Sequence, residues 1–155
     1  MSNALTITAP EGVPFIDYVR DFDAPVAAVF QAHADPELVK KWLGPNGYEM
    51  EIAEWNLVDG GGYSYVHRVG DEAYAFRGVF HSVRENDLII QTFEYAGFAD
   101  VVSIESMTFE DLGDGRTRLH GHAVYPTQEA RDGMVQSGME TGMSEGYDRL
   151  EELVR

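Results

Sequence analysis

The spacing of hydrophobic positions changes several times along the chain. Apolar and polar residues alternate over 15–22, apolar residues recur at helical spacing over 26–42, alternation returns over 48–125, and helical spacing resumes at 128. The predicted elements, in chain order, are a strand at 15–22, helices at 26–34 and 36–42, strands at 48–58, 62–69, 73–84, 88–95, 101–110 and 117–125, and one long helix at 128–154.

Short loops join the consecutive strands, which makes those strands antiparallel neighbours. The last helix is the only predicted element long enough to cover one face of such a sheet. The sequence therefore predicts an α+β fold of order β-α-α-β6-α, in which a bent antiparallel sheet wraps around the long C-terminal helix and leaves a space between them. Residues 1–12 carry no periodic pattern and are expected to form a flexible N-terminus, so that 13–155 form a single domain.

Aromatic side chains are predicted to gather on one face of this sheet. Tyr63, Tyr65 and His67 alternate along one strand and therefore share a face. The following strands can add further aromatic and thioether side chains to that face, namely Phe76, Phe80, Phe93, Tyr95, Met107 and Phe109. Rings with polar tips suit an apolar ligand that carries a hydroxyl or carbonyl group. The same residues would also make an ordinary aromatic core.

The last predicted helix carries methionines and a repeated glycine. Met139 and Met143 belong to its apolar stripe, and Gly138, Gly142 and Gly146 recur every four residues. Each glycine inside a helix costs about 1 kcal/mol relative to alanine, so the repeat calls for a reason. Three interpretations remain open: close packing of the helix against the sheet, the floor of a ligand cavity, or a helix contact between subunits.

Two titratable residues are candidates for acid–base chemistry. His67 lies on the predicted inner face, where a histidine can transfer protons near neutral pH. Glu105 has the same alternation phase as Met107 and Phe109 and would then also point inward. A neutral, hydrogen-bonded His67 and an exposed Glu105 are the structural alternatives to this pair.

No metal or cofactor site is predicted. His120 and His122 alternate on one strand and could share a metal, but Leu119, Gly121, Ala123 and Tyr125 make the better inward set and leave both histidines on the solvent face. The chain contains neither a nucleotide-binding fingerprint nor a nucleophile elbow.

The charge balance excludes several classes of partner. The chain has 27 Asp and Glu against 11 Lys and Arg, a formal net charge of −16, which disfavours nucleic acids and anionic membrane surfaces. It has no cysteine and no apolar run long enough to insert into a membrane. The first twenty residues lack the pattern of a signal peptide, so a cytoplasmic location is expected. The protein is expected to be a monomer or a homodimer.

The chain resembles the START-like (SRPBCC) superfamily, whose helix-grip fold is shared with the birch-pollen allergen, polyketide cyclases and lipid-transfer domains. Within it, the chain is most similar to the bacterial branch named after the activator of the heat-shock-protein-90 ATPase. The residues that carry the resemblance are Arg20-Asp21-Phe22-Asp23-Ala24-Pro25-Val26-Ala27-Ala28-Val29-Phe30, Asp35-Pro36-Glu37-Leu38-Val39-Lys40-Lys41-Trp42-Leu43-Gly44-Pro45, Gly60-Gly61, Phe76-Arg77-Gly78-Val79-Phe80, and the segments Ser137-Gly138-Met139-Glu140 and Gly146-Tyr147-Asp148-Arg149-Leu150.

This resemblance implies a small hydrophobic ligand, lipid-, polyketide- or flavonoid-like, between the sheet and the last helix. The predicted ligand-contacting residues are Trp42, Trp55, Tyr63, Tyr65, His67, Phe76, Phe80, Phe93, Met107, Met139, Gly142, Met143 and Gly146. The alternative is an enzyme, similar to a polyketide cyclase or dehydratase, that uses His67 and Glu105. A protein-partner adaptor is the least expected function, because the chaperone activity that names the branch needs a further N-terminal domain.

Overall fold

The strands and helices follow the predicted order, with two differences at the ends of the chain. The computed structural model describes residues 3–155. The strands are β1 (Thr6–Thr8), β2 (Phe15–Phe22), β3 (Glu49–Trp55), β4 (Gly62–Val69), β5 (Glu72–Arg84), β6 (Leu88–Tyr95), β7 (Val102–Gly113) and β8 (Arg116–Val124). The helices are α1 (Val26–Ala34), α2 (Pro36–Trp42), α3 (Gln128–Gln136) and α4 (Met139–Val154).

All eight strands belong to one antiparallel sheet in the order β1-β2-β8-β7-β6-β5-β4-β3. The sheet is bent, and α4 lies along its inner face, which confirms the predicted α+β helix-grip fold. The first predicted strand, β2, pairs with the last strand, β8, so the two ends of the predicted pattern meet in the sheet. None of the helices formed by residues 3–155 has the length and apolar character that a membrane-spanning helix needs.

The core has two parts. A large cluster of buried aromatic and aliphatic side chains joins the inner face of the sheet to α1, α2 and the C-terminal half of α4. A smaller cluster consists of Ile16, Ala123 and Tyr125, with Met134 and Met139 packed against it. Several partly buried side chains pack against these clusters, among them Phe76 and Met143 on the large one and Met139 on the small one.

The predicted helix over 128–154 is wrong at its centre, where the chain breaks into α3 and α4. Gly138 adopts φ +88°, a left-handed conformation that ends regular helix and that glycine tolerates best. The helical spacing continues across the break, which is why the hydrophobic pattern does not reveal it. As a result, α3 packs near β2, while Tyr147 and Leu150 of α4 join the large core cluster on the inner face of the sheet.

The N-terminal segment also differs from the prediction. Residues 1–12 were expected outside the fold, but Thr6–Thr8 forms the edge strand β1 and pairs with Asp17, Tyr18 and Val19 of β2. Three residues are too few to show a period of two, and their burial alternates only weakly. The edge strand places the N-terminal segment beside α4, where the Asn3 amide donates to Glu151.

The glycines of the last helix contact α2 and the loop that follows it. Gly146 packs so closely that an added Cβ would lie 2.8 Å from the carbonyl oxygen of Trp42 and 3.4 Å from the backbone of Gly44. A Cβ on Gly142 would lie 3.5 Å from the Pro45 ring, an ordinary contact distance. Close helix-to-loop packing therefore requires glycine at Gly146, the helix break favours it at Gly138, and Gly142 has room for a larger side chain.

This packing predicts opposite effects for two matched substitutions. Gly142→Ala should raise the free energy of unfolding by about 0.5–1 kcal/mol, because alanine favours helix and meets no obstacle. Gly146→Ala should lower it by about 1–3 kcal/mol, because the methyl group must displace backbone atoms. Urea unfolding of both variants measures the difference, and equal effects of the same sign would contradict the packing assigned to Gly146.

Candidate functional site

Some inward-facing side chains of the central strands remain partly exposed. Phe76 on β5, Phe93 on β6 and Glu105 on β7 point to the inner face, yet each is only half-buried. On α4, Met139 and Met143 are half-buried as well, although they pack against the two core clusters. These inward side chains show that α4 leaves part of the inner face incompletely covered, and this incompletely covered part is called the space beside Glu105.

Glu105 lies at the centre of the inner face, between Gln91 of β6 and Ala123 of β8. Protein surrounds it closely enough for burial to raise the pKa of its carboxyl group to about 7. Water nevertheless reaches part of the side chain. The raised pKa and the partial exposure are both explained if the carboxyl group faces the interior at a point that water can reach. No side chain of residues 3–155 forms a hydrogen bond or an ion pair with this carboxyl group.

The negative charge of Glu105 acts on five tyrosines. They come from β2, β4, the end of β8 and α4, and they are Tyr18, Tyr63, Tyr65, Tyr125 and Tyr147. Burial raises the pKa of each phenol, and the negative charge of Glu105 raises it further. The charge of Glu105 therefore affects the pKa of all five hydroxyl groups.

Stacked rings form the wall of the space on β4, β5 and β6. The ring of Phe76 stacks on Tyr65 at a centroid distance of 5.2 Å and on Phe93 at 5.4 Å. Gly78 lets β5 approach its neighbours, since a Cβ there would lie 2.5 Å from the Tyr63 ring and 2.1 Å from the Thr92 carbonyl oxygen. The Tyr63 hydroxyl donates to that same oxygen at 2.5 Å, which fixes its ring.

His67 lies at another corner of the inner face, beside the loop after α2. It is 6% exposed and contacts Tyr48, Tyr65 and Phe76 through its ring. Burial lowers its pKa, a hydrogen bond with the Leu43 backbone opposes that effect, and the charge of Arg149 adds to it. Its Nε2 atom has no hydrogen-bond partner within the described residues.

The two candidate acid–base residues are separate groups in this structure. His67 is on β4 and Glu105 on β7, with β5 and β6 between them in the sheet. Within residues 3–155 no hydrogen bond or ion pair joins the two side chains, and neither contributes to the pKa of the other. A reaction that uses both residues stays a prediction.

The sequence from the first helix to the C-terminus can be assigned to a family. Residues 23–155 match the family model described as Activator of Hsp90 ATPase homolog 1-like protein. The chain belongs to this family. The resemblance to the START-like superfamily and to its activator-homologue branch is thereby confirmed. No curated protein matches the chain.

Solved structures with the same fold come from several bacteria. A protein from Rhodobacter sphaeroides is 23% identical with a TM-score of 0.86, covering 96% of this chain and 97% of that one. Protein Ms6760 from Mycobacterium smegmatis is 24% identical with a TM-score of 0.86, covering 97% and 96%. DynU16, a protein in the dynemicin biosynthetic locus, is 18% identical with a TM-score of 0.67, and the match spans 90% of this chain but 46% of DynU16.

For this member of the activator-homologue family, part of the predicted ligand set faces the same interior as Glu105, and contact of these residues with a ligand stays a prediction. Those residues are Tyr63, Tyr65, Phe76, Phe93, Met139 and Met143. Met107, at 7% exposure, flanks Glu105 on the same strand, two residues further along. The fold and this arrangement are compatible with ligand binding.

Other predicted ligand contacts belong to packing. Trp42 donates its indole N–H to the Ala32 carbonyl at 2.8 Å and stacks on Tyr147. Trp55 donates to the His33 carbonyl at 2.9 Å, and the fully buried Phe80 packs against it. Gly142 and Gly146 contact the loop after α2, as described above. These residues hold α1, α2 and α4 on the sheet.

Sequence reasoning missed four residues near Glu105, namely Tyr18, Gln91, Tyr125 and Tyr147. For two of these residues the sequence contains a pattern that could have indicated the inner face. Gln91 has the alternation phase of Phe93, and Tyr147 follows Met143 by one helical turn. What the sequence does not show is that β2 and α4 bring Tyr18 and Tyr147 to the same carboxyl group.

The histidines of β8 lie on the outer face, as the alternation predicts. Nδ1 of His122 lies 2.7 Å from Asp17, and Nε2 of His120 lies 3.8 Å from the same carboxylate. In the part of the chain that the structure describes, no group of three or more His, Cys, Asp or Glu side chains has an arrangement that could hold a metal ion.

Two surface clefts lie away from the space beside Glu105. One is bordered by Ala9, Glu11, Arg131, Asp132, Val135 and Gln136, and the other by Asn3, Arg20, Asp23, Asp148, Glu151, Glu152 and Arg155. Neither cleft is bordered by a predicted ligand contact. The candidate site is therefore marked by half-buried inward side chains rather than by a wide, open pocket.

Proposed function

We infer that the protein binds a small apolar molecule between the inner face of the sheet and α4. The observation that carries this proposal is the set of half-buried inward side chains around an unpartnered carboxyl group, Glu105. Phe76 and Phe93 would contact the apolar part of the ligand from the sheet, and Met143 from the helix. Thioether side chains adapt to different apolar shapes, which suits a site of this kind.

The loss of folding stability caused by the Glu105 carboxyl group supports the proposal. A carboxyl group without a partner among buried aromatic rings destabilises the fold, and an apolar residue of similar size would remove that cost. Residues that lower stability are expected where a function requires them. The polar group of a bound ligand would give this carboxyl group the partner that the described residues do not supply.

The proposal predicts a bound or bindable apolar compound. Native mass spectrometry of freshly purified protein, followed by organic extraction, should identify it, and thermal-shift measurements should show stabilisation by members of a flavonoid, fatty-acid and polyketide panel. A Phe93→Ala variant should bind the hit at least about tenfold more weakly.

The matched control for that variant is Ile104→Ala, on the adjacent strand but on the outer face, where the side chain is 54% exposed. Its affinity for the same compound should equal that of the wild type. An empty wild-type protein that responds to no member of the panel would refute ligand binding. Equal losses in both variants would place the ligand outside the proposed space.

A second candidate function is catalysis of the cyclase or dehydratase type. The observation that favours it is the pKa of about 7 for Glu105, which suits proton transfer at neutral pH. In that case Glu105→Gln would abolish turnover of a bound polyketide-like compound while leaving its dissociation constant nearly unchanged. The fold-level likenesses carry no reaction over to this chain.

A further inference from the structure

Within the proposed function, the charges of the interior define a class of ligand. We propose that the space beside Glu105 selects an apolar amine, whose protonated nitrogen pairs with the Glu105 carboxylate, and discriminates against apolar carboxylic acids such as fatty acids. This inference rests on the proposed function and adds the polar group of the ligand to it.

The buried cations of the described chain already have partners. Arg20 pairs with Asp148 at 2.7 Å and with Glu151 at 3.3 Å. Arg131 pairs with Asp132 at 2.7 Å and also donates to the carbonyl oxygens of Pro10 and Phe15. Neither guanidinium group bonds to Glu105, so the carboxyl group is left without a positive partner among residues 3–155.

A ligand anion and a ligand cation would meet opposite conditions in this space. A fatty-acid carboxylate would lie near a like charge with no arginine or lysine to bind it, which costs more in a low-dielectric interior than in water. An ammonium group would supply the missing partner through a charge-assisted hydrogen bond. The space beside Glu105 is thus complementary to a positively charged group on the ligand and not to a negatively charged one.

The rings around Glu105 favour the same choice. Aromatic rings attract cations to their faces, and Phe93, on the strand next to that of Glu105, stacks on Phe76 and on no second ring of the described residues. The carboxyl group has no hydrogen bond from any of the five tyrosines on which its charge acts in the described structure. Its oxygen atoms therefore remain available to a donor on the ligand.

The pH dependence of binding follows from the groups that face the site. Tyr18 comes from β2, Tyr63 and Tyr65 from β4, and Tyr125 and Tyr147 from the end of β8 and from α4; burial raises the pKa of all five. Gln91 is neutral. Only Glu105 among these groups changes charge near pH 7. Amine binding should therefore strengthen as the pH rises from about 6 to 8, while acid binding weakens.

Three compounds that differ only in the polar group test the inference: naphthylethylamine, naphthylethanol and naphthylacetic acid. Calorimetric titration of the wild-type protein at pH 8 should give an amine affinity about tenfold or more above that of the alcohol, with the acid weakest. In Glu105→Gln, the amine and the alcohol should bind within about twofold of each other, because the amide carries no charge to pair with the nitrogen. Glu110→Gln, on the same strand but exposed, should behave as the wild type.

The outcomes separate this inference from the function on which it rests. Alcohol binding without an amine preference, or an acid that binds most tightly, overturns the ligand class and leaves the apolar site standing. An amine preference that persists in Glu105→Gln also overturns it, because another group would then recognise the nitrogen. Failure of all three compounds, together with no extractable ligand, overturns both proposals.

Discussion

Replacement of Arg20 by methionine should lower the free energy of unfolding by about 3–5 kcal/mol. The Arg20 side chain is 2% exposed and connects β2 to α4 through Asp148 and Glu151. Methionine fills similar space but leaves Glu151, whose side chain is 8% exposed, without its cation. An uncompensated buried charge is the main source of the loss, because the Arg20 guanidinium and the Glu151 carboxylate are both removed from water, whereas Asp148 is exposed.

Urea unfolding measures this effect, and Arg116→Met is the matched control. Arg116 also pairs with an aspartate, Asp23, but its side chain is 40% exposed, so its loss should cost at most about 1 kcal/mol. The double variant Arg20→Met with Glu151→Gln should recover part of the stability, since the orphaned charge is gone while the amide can still accept from the Asp23 N–H. Equal losses in Arg20→Met and Arg116→Met would contradict a structural role for the buried pair.

The alternation of the strands could be predicted from the sequence because most inward positions are apolar or aromatic over long stretches. Tyr63, Tyr65 and His67 share the inner face, and Phe80 joins them opposite Gln91. A period of two fixes the side of the sheet to which every residue points. For Glu105 the same period left two predictions open, an inward side chain or exposure at an edge or bulge, and the strand register places it on the inner face.

The partners of those residues could not be predicted, because they depend on how distant elements meet. Arg20 is 128 residues from Asp148, and no local pattern links them. The glycine spacing of α4 correctly indicates a close approach, but the approaching group is the backbone of Trp42 and Gly44 rather than the sheet or a ligand. Likewise, the helical period continues through Gly138, so only the backbone conformation reveals the break.

The carboxyl group of Glu105 should make the protein less stable at alkaline than at acidic pH. Its pKa is about 7 in the folded protein against 4.5 as the reference, so the folded state holds a proton that the unfolded state releases between these values. The contribution of the neutral group is complete below about pH 4.5 and is lost as the pH rises through about 7. At about 1.4 kcal/mol per pKa unit, the loss is about 3 kcal/mol.

Glu105→Gln isolates this contribution, since the amide cannot ionise. The free energy of unfolding of the variant relative to the wild type should be nearly zero at pH 4 and should grow to about 3 kcal/mol in favour of the variant at pH 8. Glu110→Gln controls for the loss of one negative charge and should change stability by no more than about 0.5 kcal/mol. A Glu105 effect that is the same at both pH values would mean that the carboxyl group is solvated or paired, which would remove the physical basis for a ligand at that position. A variant that gains stability only where the carboxylate is charged would show that the native residue is retained against stability, as expected of a binding group.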